Sequence, residues 1–174
     1  MPGDVSGRRV VLVRHAKAAN PGNVEDHERP LAGRGVRDAA ALGRWLRTAV
    51  HVPDLAITST AVRARRTWEV AASELPEPVE VLADPAAYLS DPDGLLELLR
   101  SAPEGARTLV LVGHNPGVHR LALLLVVDGV QDTDDVLAAG FPTAAAVVLT
   151  HDGPWSALDP GKSEVESSTI ARAP

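Results

Sequence analysis

The stretch VVLVRHAKA, residues 10–18, poses the question on which the fold turns. Four apolar, mostly β-branched residues have the length and composition of a buried strand. They run directly into Arg14 and His15, and small residues follow. Strands often stop at polar residues, so the observation gains weight only if other strands in the chain end the same way. Two do. LAIT at 55–58 ends on Ser59-Thr60, with Arg63 a few residues on, and TLVLV at 108–112 ends on Gly113-His114-Asn115-Pro116. AAVVLT at 145–150 is a fourth apolar run, and VEVL at 79–82 a weaker fifth.

Helical patterns lie between these runs. GRGVRDAAALGRWLRTAV at 33–50 places Val36, Ala39, Ala40, Gly43 and Leu46 on one face at amphipathic spacing. TAVRARRTWEVAASEL at 60–75 follows a Ser-Thr pair suited to N-capping. SDPDGLLELLRSA at 90–102 sets cap-type residues before Leu95, Leu98 and Leu99, and GVHRLALLLVVDG at 117–129 is apolar on more than one side. Strands alternating with helices predict an α/β three-layer sandwich: a mostly parallel central sheet with helices on both faces. At 174 residues the chain reads as one domain, 1–174, with flexible ends at 1–8 and about 160–174. PWSALD at 154–159 is a candidate edge strand.

Composition narrows the function. The chain is 45% hydrophobic but only 3% aromatic, so its core is built from Ala, Val and Leu. It has no Cys, which removes disulfides, thiolate nucleophiles and cysteine zinc sites. No apolar run approaches the roughly 18 residues of a membrane span, and the N-terminal stretch has no secretory h-region. These features predict a soluble, cytoplasmic protein. A net charge of −6 argues against nucleic-acid or membrane-surface binding through a general basic field. The cations are fifteen Arg against two Lys, a bias that a GC-rich genome would also give. Arginine does, however, supply a planar fork that grips phosphate.

In parallel α/β sheets, ligands bind at the carboxyl ends of the strands, where loops and helix N-termini gather. Arg14 and His15, Arg63, and His114 all fall at such ends. Singly, each has a plainer reading: a strand-end His is more often a loop residue, and Arg65 and Arg66 read as helix-surface charges. Together they predict an anion site, most simply for phosphate. His27, His51, His119 and His151 show no such grouping and read as surface or packing residues. No HExxH or H-x-E pattern occurs, and two arginines repel a divalent cation, so no metal is expected. Neither a GxSxG elbow nor a GxxxxGK[ST] loop is present. The best nucleophile in the set is then imidazole, which can take up a phosphoryl group and split one displacement into two. Neighbouring guanidinium groups would keep it unprotonated and neutralise the transferring oxygens.

These residues also resemble a known family. VLVRHAKA is similar to the Arg-His-Gly signature of the histidine phosphatase superfamily, also called phosphoglycerate mutase-like, with Ala16 where Gly is commoner. STAVRARRT at 59–67 resembles its S-P-x-x-R-A-x-x-T segment, and VGHNPGV at 112–118 its second-histidine motif. HERPLAGRG at 27–35 resembles the R-P-L-T-x-x-G element of short SixA-type phosphohistidine phosphatases. The four motifs occur in family order over residues 10–118, about two-thirds of the chain. The resemblance implies a phosphoglycerate mutase-like fold and a cofactor-independent phosphatase. It implies His15 as nucleophile, Arg14, Arg63 and His114 as phosphoryl-binding residues, and Arg29 as a further phosphate-contacting arginine from the loop. Ser59 either adds a hydroxyl to the site or caps the following helix; the cap is the expectation.

One departure bears on the substrate. Larger family members protonate the leaving group with an acid after the third strand. The corresponding ADPAAYLSDPDG, 83–94, offers only Asp84, Asp91 and Asp93, set in turns and a helix start. A labile donor such as protein phosphohistidine needs that proton less than an alkyl phosphate does. The expected partner is therefore a phosphorylated substrate, in the first place a histidine-phosphorylated protein, and mutase activity is not expected. Two alternatives stand beside this reading: a small-molecule phosphomonoester phosphatase using Asp84 or Asp91 as its acid, and a phospho-ligand binding module without turnover.

Overall fold

The computed structural model describes residues 7–174, the side chain of Gln131 apart. The elements run β1 (Arg8–Arg14), α1 (Gly33–Ala49), β2 (Leu55–Ser59), α2 (Val62–Ala72), β3 (Glu80–Asp84), α3 (Pro92–Arg100), β4 (Thr108–Gly113), α4 (Gly117–Leu125), α5 (Asp135–Ala138), β5 (Ala145–His151) and β6 (Glu164–Ile170). They build one six-stranded sheet in the order β3-β2-β4-β1-β5-β6. The first four strands in that order are mutually parallel; β5 pairs antiparallel with β1, and β6 antiparallel with β5. The fold is thus the expected α/β sandwich, with helices on both faces of the sheet.

Why these segments form central strands is visible in their burial. Val10, Val11, Leu12 and Val13 are all fully buried, and alternate residues enter different cores. Val10 and Leu12 join Leu109, Leu111, Val147 and Leu149 beneath α3 and α4. Val11 and Val13 join Val110, Val112, Ala146 and Val148 beneath α1 and α2. A strand covered on both faces reads as an unbroken apolar run. β3 lies at the edge, and its Val81 and Leu82 are exposed, which accounts for its weak signal.

Glycine sets two close approaches. A Cβ on Gly43 would overlap the Ala71 backbone, so α1 and α2 pack closely there. A Cβ on Gly117 would overlap the Ser90 carbonyl, where α4 starts against the turn before α3.

The register brings the three singled-out strand ends together. Arg14 lies opposite Gly113, and Thr58 opposite Val112, with β4 between β1 and β2. One residue beyond these pairs, the chain reaches His15, His114 and Ser59.

Two expectations at the carboxyl-terminal end are corrected. PWSALD is not an edge strand: Trp155–Ala157 form a 3-10 turn, and the buried Trp155 indole donates to the Ala106 carbonyl at 2.8 Å. The supposed flexible tail at 160–174 instead carries β6, the true edge strand. Backbone pairing with β5 overrides the polar composition, and Arg9 on β1 clasps Glu166 through two bonds of 2.7 and 2.8 Å. Of the N-terminal segment 1–8, Arg8 opens β1 and residues 1–6 lie outside the described residues. Among the described residues no helix is long and apolar enough to cross a membrane.

Candidate active site

The loop leaving β1 is fixed by its backbone. His15 N–H donates to the Gly113 carbonyl at 3.0 Å, and the His15 carbonyl accepts from Ala144 N–H at 3.2 Å. Ala16 N–H donates to the Thr67 hydroxyl at 3.0 Å, which in turn donates to the Arg63 carbonyl at 2.6 Å. The first turns of the β1 loop and of α2 are therefore tied together. In the His15 ring, Nδ1 lies 2.8 Å from the Ala16 carbonyl oxygen. A carbonyl can only accept, so Nδ1 carries the hydrogen and Nε2 presents its lone pair. Arg63 Nε–H donates to His15 Nε2 at 3.3 Å.

His114 faces His15 with ring centroids 5.1 Å apart. Its Nε2 lies 2.7 Å from the Ser59 hydroxyl, which also accepts from Ala61 N–H at 3.1 Å. Donating the hydroxyl hydrogen to Nε2 satisfies both groups and leaves the hydrogen of His114 on Nδ1. That nitrogen is buried and has no partner. The expectation that Ser59 caps the helix is corrected: its hydroxyl binds the turn before α2 at Ala61 N–H and positions His114. The N-cap position of α2 belongs to Ala61, with no side-chain cap.

The guanidinium groups close the ring. Arg63 is almost wholly buried, and besides His15 it donates to the Asp26 carbonyl at 2.6 Å and the Asp26 carboxylate at 3.0 Å. Arg14 makes one bond, to the Phe141 carbonyl at 3.2 Å, and its buried Nε has no partner. Arg29 holds the Ala19 carbonyl with two nitrogens and reaches Asp26 at 3.2 Å with the third. The structure therefore assembles His15, Arg14, Arg63 and His114 at one sheet end and attaches Arg29 through Asp26. Arg65 and Arg66 stay on the helix surface, as expected.

Burial is the chief reason that the His15 pKa is lowered to about 4; the Ala16 hydrogen bond opposes the shift, and Arg63, Arg14 and Arg29 add to it. His114 is lowered to about 3, again chiefly by burial and then by His15 and Arg63. Both rings are neutral at pH 7. An unprotonated imidazole nitrogen, an opposing ring, the buried Arg63 and the half-buried Arg14 suit a tetrahedral oxyanion. Among the described residues, no three His, Cys, Asp or Glu side chains gather as metal ligands.

Several residues here escaped the sequence reading. The Asp26 carboxylate accepts from Arg63, from Arg29 and from the Tyr88 hydroxyl, the last at 2.7 Å. Those donors, Tyr88 first, hold its pKa well below the usual carboxylate range, against the raising effect of burial. Its signal in the sequence was slight, an acid three residues before Arg29 in a loop without periodicity. Tyr88 stands edge-on to His114 with ring centroids 5.5 Å apart. His27, read as an ordinary surface residue, packs edge-on against Tyr88 at 4.9 Å and lies 2.9 Å from the Thr60 hydroxyl. It belongs to the rim of this site. Asp84 and Asp91 are committed to capping: each accepts a backbone N–H at 2.8 Å, from Ala86 and Gly94.

An α/β sheet whose parallel strand ends enclose such an oxyanion pocket belongs with phosphoryl-handling enzymes. Residues 10–85 match the histidine phosphatase superfamily, branch 1. An uncharacterized protein of Mycobacterium tuberculosis is 35% identical over 153 residues, covering 86% of this chain and 93% of the relative. The structure of an assigned phosphohistidine phosphatase SixA from Nakamurella multipartitia is similar with a TM-score of 0.81 and 29% identity, covering 95% of this chain and 97% of that one. A second assigned SixA, from Agrobacterium tumefaciens, gives 0.78 and 25%, over 93% and 97%. The chain belongs to the histidine phosphatase superfamily, in its SixA-type branch.

Proposed function

We propose that this protein is a cofactor-independent phosphatase that hydrolyses a phosphoryl group through a phosphohistidine on His15, with protein phosphohistidine as substrate. One observation carries the reading: the Ala16 carbonyl fixes the His15 tautomer so that Nε2 is the unprotonated nitrogen, facing the Arg63 Nε–H and opposite His114.

In the first half-reaction His15 Nε2 attacks phosphorus in line with the leaving group, which departs with the electron pair of its bond to phosphorus. Arg14, Arg63 and the Nδ1–H of His114 take the phosphoryl oxygens, with Arg29 adding charge from the loop. The unpartnered Arg14 Nε and His114 Nδ1 are donors that an oxyanion would satisfy. In the second half-reaction, water attacks the phosphohistidine and inorganic phosphate leaves, restoring neutral His15. Asp26 keeps both Arg63 terminal nitrogens occupied, which aims Nε at the reaction centre.

Support for a labile donor comes from the acids. Asp26 is held ionised by its partners, and Asp84 and Asp91 accept backbone hydrogens, so none stands ready with a proton. Imidazole leaving from phosphohistidine picks up its proton from solvent. Hydrolysis of an aryl phosphate and of a phosphohistidine protein tests the proposal. Both should proceed without added metal and be lost in His15→Ala; turnover that survives that substitution rules the reading out.

A further inference from the structure

A cleft of about 250 Å³ opens beside His114, between the Leu89–Pro92 turn and the start of α4. Leu89, Pro92 and Pro116 give its lining an apolar part, and Asp91, His114 and Arg120 a polar one. Three observations set it apart from the phosphoryl pocket. Leu89 lines it with an exposed side chain and a left-handed backbone, φ 52°, a conformation that costs a bulky residue energy and recurs at ligand sites. Gly117 lets α4 come against the Ser90 carbonyl, and both residues line the cleft. Arg120 is exposed, and its guanidinium, unlike those of Arg14, Arg29, Arg63 and Arg100, has no hydrogen-bond or ion-pair partner among the described residues.

We infer that this cleft receives the body of the leaving group, and that Arg120 selects substrates carrying a second anionic group beyond it. The inference rests on the proposed phosphatase reading, because only a phosphoryl group seated between His15 and His114 directs its leaving group past His114. Ligand pockets for whole small molecules run to about 300–1,000 Å³, so this smaller space suits one ring or side chain with an acidic neighbour rather than a nucleotide. Leu89, Pro92 and Pro116 offer contact to a flat apolar body such as an imidazole or phenyl ring. The Asp91 carboxylate also lines the cleft, fixed by Gly94 N–H, and disfavours an anion placed at that side. The second anion is therefore read at the Arg120 side.

The test compares kcat/KM for phenyl phosphate and para-carboxyphenyl phosphate in the wild type, Arg120→Gln and Arg120→Glu. The readout is the ratio of the two substrates within each variant, so intrinsic differences in leaving group cancel between variants. The ratio should fall roughly five-fold on Arg120→Gln, the size of one exposed ion pair, and further on Arg120→Glu. The change should shrink at high salt. A ratio unaffected by either substitution overturns the inference. Phosphohistidine peptides with aspartate or with serine neighbours form a second arm. An Arg120-dependent preference among the peptides assigns the anion to an acidic phosphoprotein, and one confined to the aryl acid assigns it to a small molecule. If phenyl phosphate hydrolysis itself survives His15→Ala, the phosphatase reading fails; if it needs His15 while the ratio ignores Arg120, only the subsite does.

Discussion

β1 begins and ends on an arginine, and the two ends show what separates a structural cation from one available to a ligand. At the amino end Arg8 pairs with Glu104 at 2.9 Å, donates to the carbonyls of Glu104 and Ala106, and lies over the Trp155 ring. The neighbouring buried His151 stacks on the same tryptophan and places Nε2 3.0 Å from the Pro154 carbonyl. At the carboxyl end Arg14 has one long bond and a buried nitrogen with nothing to bind, beside a histidine whose lone pair is unclaimed by any acid. Residue types are the same at both ends. What differs is satisfaction: the cation at one end has its donors paired, and the one at the other end keeps a buried donor unpaired.

The largest effect should come from His15→Asn. Removing the nucleophile should cost about 10⁴-fold or more in turnover, while the folded variant still binds vanadate, measured by calorimetry. Loss of both would make His15 a residue that only positions the phosphate. Exchanging the roles of the two arginines sharpens the contrast. Arg14→Ala should lower kcat/KM by about 10²–10³-fold, as for loss of one oxyanion donor, with little change in Tm. Arg8→Ala should leave the rate alone and lower Tm by roughly 2–4 °C, about 1 kcal/mol in a chain of this size. Equal losses of rate in the two variants would erase the distinction.

Asp26→Ala should lower kcat by about ten-fold, because Arg63 loses its charged anchor and its aim. Asp26→Asn, which keeps a carbonyl acceptor and the main-chain contact, should recover part of that. A purely structural role would lower Tm without this difference between the two variants.

A further effect is on pH dependence. His15 titrates near 4 in the folded chain against an ordinary value of 6.5, and His114 near 3. Below pH 6.5 the unfolded chain therefore takes up protons that the folded chain refuses, so stability is full above 6.5 and declines as pH falls toward 4. The urea midpoint should drop between pH 7 and pH 5, and by less in His15→Asn. A midpoint flat over that range in the wild type would contradict the buried neutral imidazoles.

Much of this was legible in the sequence, for physical reasons. Strands buried on both faces announce themselves as apolar runs, and a parallel sheet then sends their polar ends to one side, which is how His15, His114 and Arg63 could be grouped while 99 residues of chain separate the two histidines. The misses share another cause. Asp26, His27 and Tyr88 sit in loops with no period, and their place beside the site depends on how two connections fold over the sheet. Ser59 was read as a helix cap because its partner His114 comes from another strand, which local spacing does not show. β6 was missed because its residues are polar and its stability comes from pairing with β5 and from Arg9.

Rapid quenching of the enzyme with labelled substrate, followed by peptide mapping, addresses the covalent step itself. The label should sit on His15, survive alkali and be lost in acid, as a phosphoramidate does. An acid-stable label on a serine or threonine, or a histidine label mapped to His114, would contradict the account.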